Sequence, residues 1–175
     1  MNDAHLHLIV NHFPIIGTVF GLGILIAGLV LKNNSVKSTA YIIFIVTAVF
    51  AAISVVTGRG AEELVKDMPN IGHQIIHEHE ELAEKFALLL YGIGVFSLLL
   101  LYTAVNKHKF AKILSFITLI LAIGAAILSI GVGTSGGEIR HTEIREDGTS
   151  PKTKTDEGIK NDSSITGGNF IKKED

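Results

Sequence analysis

Residues 8–31 read LIVNHFPIIGTVFGLGILIAGLVL, a run in which no Asp, Glu, Lys or Arg interrupts the apolar side chains. A helix needs roughly 20 such residues to cross a hydrocarbon core of about 30 Å. Because a single charge at the bilayer centre costs at least about 2.5 kcal/mol, a charge-free run of this length inserts readily. This stretch therefore predicts a membrane-spanning helix.

Three further runs have the same character: Tyr41–Thr57, Phe86–Val105 and Ile113–Val132. Together the four predict an all-α integral membrane four-helix bundle over residues 1–141. The predicted spans cover about residues 12–31, 41–58, 71–105 and 112–133. Residues 142–175 are polar and lack apolar periodicity, which predicts a disordered or partner-bound tail. The sequence contains no evident internal repeat.

Helix punctuation refines the predicted boundaries. Asn11 is expected to cap a helix that carries Pro14 in its first turn, where the missing N–H costs nothing. Asn70 is expected to cap span three. No proline follows it before Val105, so span three is predicted to extend as one helix roughly 20 Å beyond the membrane.

Composition excludes several classes of function. Hydrophobic residues make up 47% and charged residues 18% of the chain, against about a quarter charged in soluble domains. The formal charge of −2 offers no basic field for nucleic acid. Cysteine is absent, so a metal or haem would be held by His, Met or oxygen. No nucleophile or phosphate-binding motif is present, so the chain is not expected to be an enzyme alone.

The connecting segments predict the orientation. The short loops at residues 32–37 and 106–112 carry Lys and no acidic residue, and the positive-inside rule places such loops in the cytoplasm. Both termini and the middle connection are then expected outside. The predicted location is the bacterial cytoplasmic membrane, with N-out and C-out topology.

Histidines concentrate at span ends on the predicted outer side: His5, His7, His12, His73, His77, His79 and His141. A neutral imidazole is the common axial ligand of non-covalent haem. His12, at the edge of an apolar span, needs a partner for its buried polar atoms. The candidate axial pairs are His12 with His77 and His7 with His141.

A metal site is the alternative interpretation of the same residues. His73 and His77 lie four residues apart and share a helix face. Imidazole and carboxylate groups bind Zn, Cu or Fe. The candidate metal ligands are His73, His77, His79 and Glu81, with Glu78 and Glu138 as further carboxylates.

Three blocks of the chain carry a family resemblance: Leu6-His-Leu-Ile-Val-Asn-His-Phe-Pro14, Thr57-Gly58, and Gly136-Gly-Glu-Ile-Arg-His141, with a histidine before span three. They resemble the bacterial membrane family known as domain of unknown function 2231, which usually has Pro where this chain has Leu8. The resemblance covers roughly residues 5–141. It implies a four-span bundle that gathers His7, His12, one of His77 or His79, and His141 at the outer surface. It also implies b-type haem and electron transfer beside c-type cytochromes.

The leading hypothesis is a membrane subunit that binds one or two b-type haems and transfers electrons at the outer face, as part of a respiratory oxidoreductase. Its expected partners are membrane lipid, a c-type cytochrome or other respiratory subunits, and quinone. The two alternatives are a non-haem metal-binding membrane protein and a structural anchor for a larger complex.

Overall fold

The computed structural model describes residues 2–66, 73–106 and 110–141. In that part of the chain it is all-helical, with five helices: α1 (Asp3–Val10), α2 (His12–Val30), α3 (Asn34–Val65), α4 (His73–Asn106) and α5 (Ala111–Arg140). A single residue, Asn11, separates α1 from α2, so these two form one span. The four resulting segments are each long and apolar enough to cross a membrane. The tail at 142–175, Asn70 and His108 lie outside the described residues.

The helices form a closed ring in which α2 packs on α3, α3 on α4, α4 on α5, and α5 on α2, while α1 lies against α3. Consecutive spans are antiparallel. Gly28 packs on Lys37 at one end, and Gly58 packs on His7 at the other. The start of α1, the end of α3, the start of α4 and the end of α5 therefore share one end of the bundle, called here the histidine end.

The outside of the ring is apolar, which suits contact with lipid. Large hydrophobic side chains such as Val30, Leu88 and Ile130 are more than two-thirds exposed. The inside includes several buried hydroxyl groups, and most of these donate to a carbonyl one turn earlier in their own helix, as Thr18 does to Pro14 and Thr118 to Leu114. Hydroxyl groups satisfied in this way can be buried in a membrane bundle.

Three helices are longer than the apolar runs that predicted them. Helix α3 begins at Asn34 and runs past Thr57 to Val65, and α5 continues through a glycine-rich segment to Arg140. The extension predicted for span three alone is thus shared by spans two and four. The physical reason lies at both ends of α3: the Asn33 side chain caps its start, and α1 packs against its other end.

The capping role predicted for Asn11 is wrong. Asn11 has helical dihedral angles and its side chain makes no capping bond, while its N–H donates to the carbonyl of His7. The chain enters α2 directly from α1, so the last turn of α1 supplies acceptors and no side-chain cap is needed. Pro14 cannot donate to the carbonyl of Val10, which explains a break at this point.

The two halves of the bundle repeat one structure, which the sequence did not reveal. When His7 is placed on His79, the buried residues of α2 fall on buried residues of α4. The pairs are Pro14 with Phe86, Thr18 with Leu90, Gly21 with Ile93, Leu25 with Ser97, and Gly28 with Leu100. When Gly58 is aligned with Gly136, the buried residues of α3 fall on buried residues of α5. Their buried pairs are Ala40 with Thr118, Phe44 with Ala122, Thr47 with Ala125, and Ala51 with Ser129.

The contacts between helices show the same correspondence between the two halves. The hairpin of α2 and α3 corresponds to the hairpin of α4 and α5, and the contact of α3 with α4 corresponds to that of α5 with α2. Such a correspondence is typical of two parallel repeats related by a pseudo-two-fold axis along the membrane normal. Residues near this axis at the histidine end therefore come in equivalent pairs, one from each half.

Candidate functional site

His7 is held by the end of α3. Its Nδ1 lies 3.0 Å from the carbonyl oxygen of Ser54 and 3.3 Å from the hydroxyl of Thr57. A carbonyl only accepts, so Nδ1 carries the proton and donates it. The imidazole also lies against Gly58, where a Cβ atom would stand 3.2 Å from its Cε1. His7 is therefore oriented on both sides, and its Nε2 keeps a lone pair.

His79 is held by the end of α5 in the same manner. Its Nδ1 lies 2.9 Å from the hydroxyl of Ser135, which itself donates to the carbonyl of Val132 at 3.3 Å. When Ser135 donates to Val132, it accepts from Nδ1 of His79, and Nε2 of that imidazole is then unprotonated. A Cβ atom on Gly136 would stand 3.1 Å from Cε1 of this imidazole.

These two histidines occupy equivalent positions in the two halves. Thr57-Gly58 and Ser135-Gly136 are equivalent hydroxyl-glycine pairs, and both hydroxyls bond a carbonyl three residues earlier. His7 and His79 are close enough to interact electrostatically. His7 on α1 and His79 on α4 thus lie near each other at the histidine end of the bundle.

The other predicted haem ligands are arranged differently. His12 is exposed at the start of α2, within electrostatic range of His7. His77 is exposed on α4, and His141 is exposed just after α5. His7 and His79 are thus half-buried, whereas His12, His77 and His141 are exposed. Of the two alternatives that the family resemblance left open, His79 is the one turned into the bundle.

The predicted metal ligands do not form one cluster. His77 is within electrostatic range of Glu81, and both are exposed together with His73. His79 instead turns to Ser135 on α5. Within residues 2–66, 73–106 and 110–141, no group of three or more His, Cys, Asp and Glu side chains converges in a way that would hold a metal ion.

Sequence reasoning assigned no role to the residues that orient the two histidines. Ser54 and Ser135 were not singled out, and Thr57, Gly58 and Gly136 appeared only in the blocks that carry the family resemblance. One signal was present. His5-Leu-His7 and His77-Glu-His79 repeat a His-x-His spacing, and each is followed one hairpin later by a hydroxyl residue and a glycine. Two of the blocks that carried the family resemblance, Thr57-Gly58 and the segment from Gly136, are explained by this geometry because they hold the imidazoles.

The seven histidines in the described part of the chain thus all lie at the histidine end of the bundle. Comparisons of the chain with protein-family models, with curated proteins and with solved structures find no match. The resemblance to domain of unknown function 2231 therefore stays a prediction.

Proposed function

We propose that this protein is a haem-binding membrane subunit in which His7 and His79 are the axial ligands of one b-type haem. The observation that supports this proposal is a pair of half-buried imidazoles, near each other at the histidine end, that are held at Nδ1 by α3 and by α5 respectively. A ligating histidine commonly donates its other N–H to a carbonyl or hydroxyl, which fixes the ring and makes the ligating nitrogen more basic. Gly58 and Gly136 leave room for the two rings, because a Cβ atom at these positions would stand 3.2 Å from Cε1 of His7 and 3.1 Å from Cε1 of His79.

The donor set fits haem better than a non-haem metal. Haem requires only one or two axial nitrogens from the protein, whereas structural zinc takes four protein ligands and catalytic zinc three. In the described part of the chain, no third His, Asp or Glu side chain joins His7 and His79 in a group that would hold a metal ion. His7 and His79 would hold the haem, and a haem held by two imidazoles would supply electron transfer.

The chain's residues then have separable roles. Ser54 and Thr57 orient His7 through Nδ1, and Ser135 orients His79 through Nδ1, so each Nε2 would be left to hold the haem iron. The proposed partners are an extracytoplasmic c-type cytochrome or another respiratory subunit, with quinone as a candidate electron donor.

The proposal is tested first by optical spectroscopy of detergent-purified protein from cells supplied with haem precursor. We expect a b-type α band on reduction with dithionite and one haem per chain in a pyridine haemochrome assay. A flat spectrum would contradict the proposal. Stoichiometric Zn or Cu in the same sample without haem would favour the metal-binding alternative.

We further propose that the histidine end faces outward, in the bacterial cytoplasmic membrane. The support is that the loops at the opposite end, residues 32–37 and 106–112, carry Lys and no acidic residue. Because the chain has no cysteine, a maleimide can label only the cysteine that is introduced, so labelling measures the exposure of that position. In intact cells, a membrane-impermeant maleimide is expected to label His5→Cys and to spare Ser35→Cys until the membrane is opened. The reverse pattern would invert the orientation.

A further inference from the structure

Two grooves on the outside of the bundle are equivalent in the repeat but differ in shape. The groove between α2 and α3 has a volume of about 290 Å³. Its counterpart between α4 and α5 has a volume of about 490 Å³. The second is lined by Leu88, Gly92, Phe96 and Ile117, with Lys85 at one end. The second half of the chain therefore carries a larger apolar groove with a basic residue at its mouth.

The difference arises at two equivalent positions. Phe13 corresponds to Lys85, and Phe20 corresponds to Gly92. In the first groove, the ring of Phe13 stacks on Phe50 with centroids 4.5 Å apart. In the second groove, a Cβ atom on Gly92 would meet nothing within 4 Å. Aromatic side chains thus occupy in the first half the space that the second half leaves open.

The open groove has the length of one lipid leaflet. Lys85 directly precedes the apolar run that begins at Phe86. From Lys85 to Phe96 the helix rises roughly 16 Å, about half of a hydrocarbon core of about 30 Å. An acyl chain lying in the groove over Gly92 would therefore place its headgroup beside Lys85, at the histidine end.

The charges at the mouth of the groove indicate which headgroup fits. Lys85 Nζ lies 2.7 Å from Glu81 Oε1, and both side chains are more than half exposed. Glu81 is one helical turn farther from the apolar run than Lys85. A phosphoethanolamine headgroup has the complementary order, because its phosphate adjoins the glycerol and its ammonium lies farther out. An anionic headgroup without an amine would leave Glu81 opposed to negative charge.

We propose that the groove between α4 and α5 binds one phospholipid with a phosphoethanolamine headgroup. Its acyl chain lies over Gly92, its phosphate contacts Lys85 and its ammonium contacts Glu81. This site lies on the outside of the bundle and does not depend on a cofactor at His7 and His79.

The test is native mass spectrometry of the full chain released from micelles that contain equal amounts of phosphatidylethanolamine and phosphatidylglycerol. We expect one phosphatidylethanolamine to be retained preferentially. Gly92→Leu is expected to reduce retention at least about tenfold, because the new side chain displaces several buried methylene groups of the lipid. Gly23→Leu is the matched control, since a Cβ atom there also meets nothing within 4 Å, and it is expected to leave retention unchanged.

A charge reversal tests the headgroup assignment separately. The double variant Glu81→Lys, Lys85→Glu keeps an ion pair one turn apart but reverses its direction, so we expect the preference for phosphatidylethanolamine to disappear. Equal retention of both lipids by the unmodified protein would overturn the proposal. So would equal losses in Gly92→Leu and Gly23→Leu, or displacement of the lipid by a stoichiometric quinone.

Discussion

Replacement of either His7 or His79 by alanine is expected to abolish the low-spin haem spectrum of the purified protein, to a similar extent in both variants. The two imidazoles are equivalent in the repeat, and each would supply one axial nitrogen. Loss of an outer-shell partner of a ligand typically costs about 10–100-fold in affinity, and loss of the ligand itself should cost more. The measurement is the reduced-minus-oxidised spectrum together with haem content per chain.

The matched controls are His5→Ala and His77→Ala. These exposed residues stand two positions before His7 and His79 and should leave the spectrum intact. Ser135→Ala keeps His79 but removes the hydroxyl that orients it, so about 10–100-fold weaker haem retention is expected with low-spin haem still formed. An unchanged spectrum in His79→Ala, or its loss in His77→Ala instead, would show that the ligand was assigned to the wrong histidine.

Substitution of Gly21 by alanine is expected to destabilise the bundle by about 1–3 kcal/mol, the usual cost of overpacking a core. A Cβ atom there would stand 2.6 Å from Cε1 of the Phe44 ring. Phe44 is only 1% exposed, so its ring has no free space into which it can move. The effect is measured as a shift in the midpoint of thermal unfolding in detergent.

The control is Gly23→Ala, because a Cβ atom at Gly23 meets nothing within 4 Å. This variant should unfold at the same temperature as the parent or slightly higher, since alanine favours a helix over glycine. The repeat also predicts a rescue. The positions of Gly21 and Phe44 correspond to Ile93 and Ala122, so Gly21→Ile combined with Phe44→Ala should recover stability lost in Gly21→Ile alone. A double variant no more stable than that single variant would refute the equivalence of the two halves.

The residues at equivalent positions explain why the repeat is not visible in the sequence. Equivalent core positions hold residues of opposite size, as Gly21 does against Ile93 and Phe44 against Ala122. Where one helix carries a large residue, the helix packed against it carries a small one. The two halves therefore pack alike although the residues at their equivalent positions differ. The hydropathy pattern does not show which positions correspond either, because apolar residues occupy the lipid-facing surface as well as the core.

Apolar composition alone determined that the chain forms four helices long and apolar enough to span a membrane, since transfer of a helix into lipid depends on the length and charge of its own segment. The order of the spans in the chain likewise predicted that histidines from both halves gather at one end. Which imidazoles pair depends on helix packing between segments far apart in sequence. The contacts of His7 with Ser54 and Gly58, and of His79 with Ser135 and Gly136, form only when the hairpins close, so the tertiary structure alone decided the candidate site.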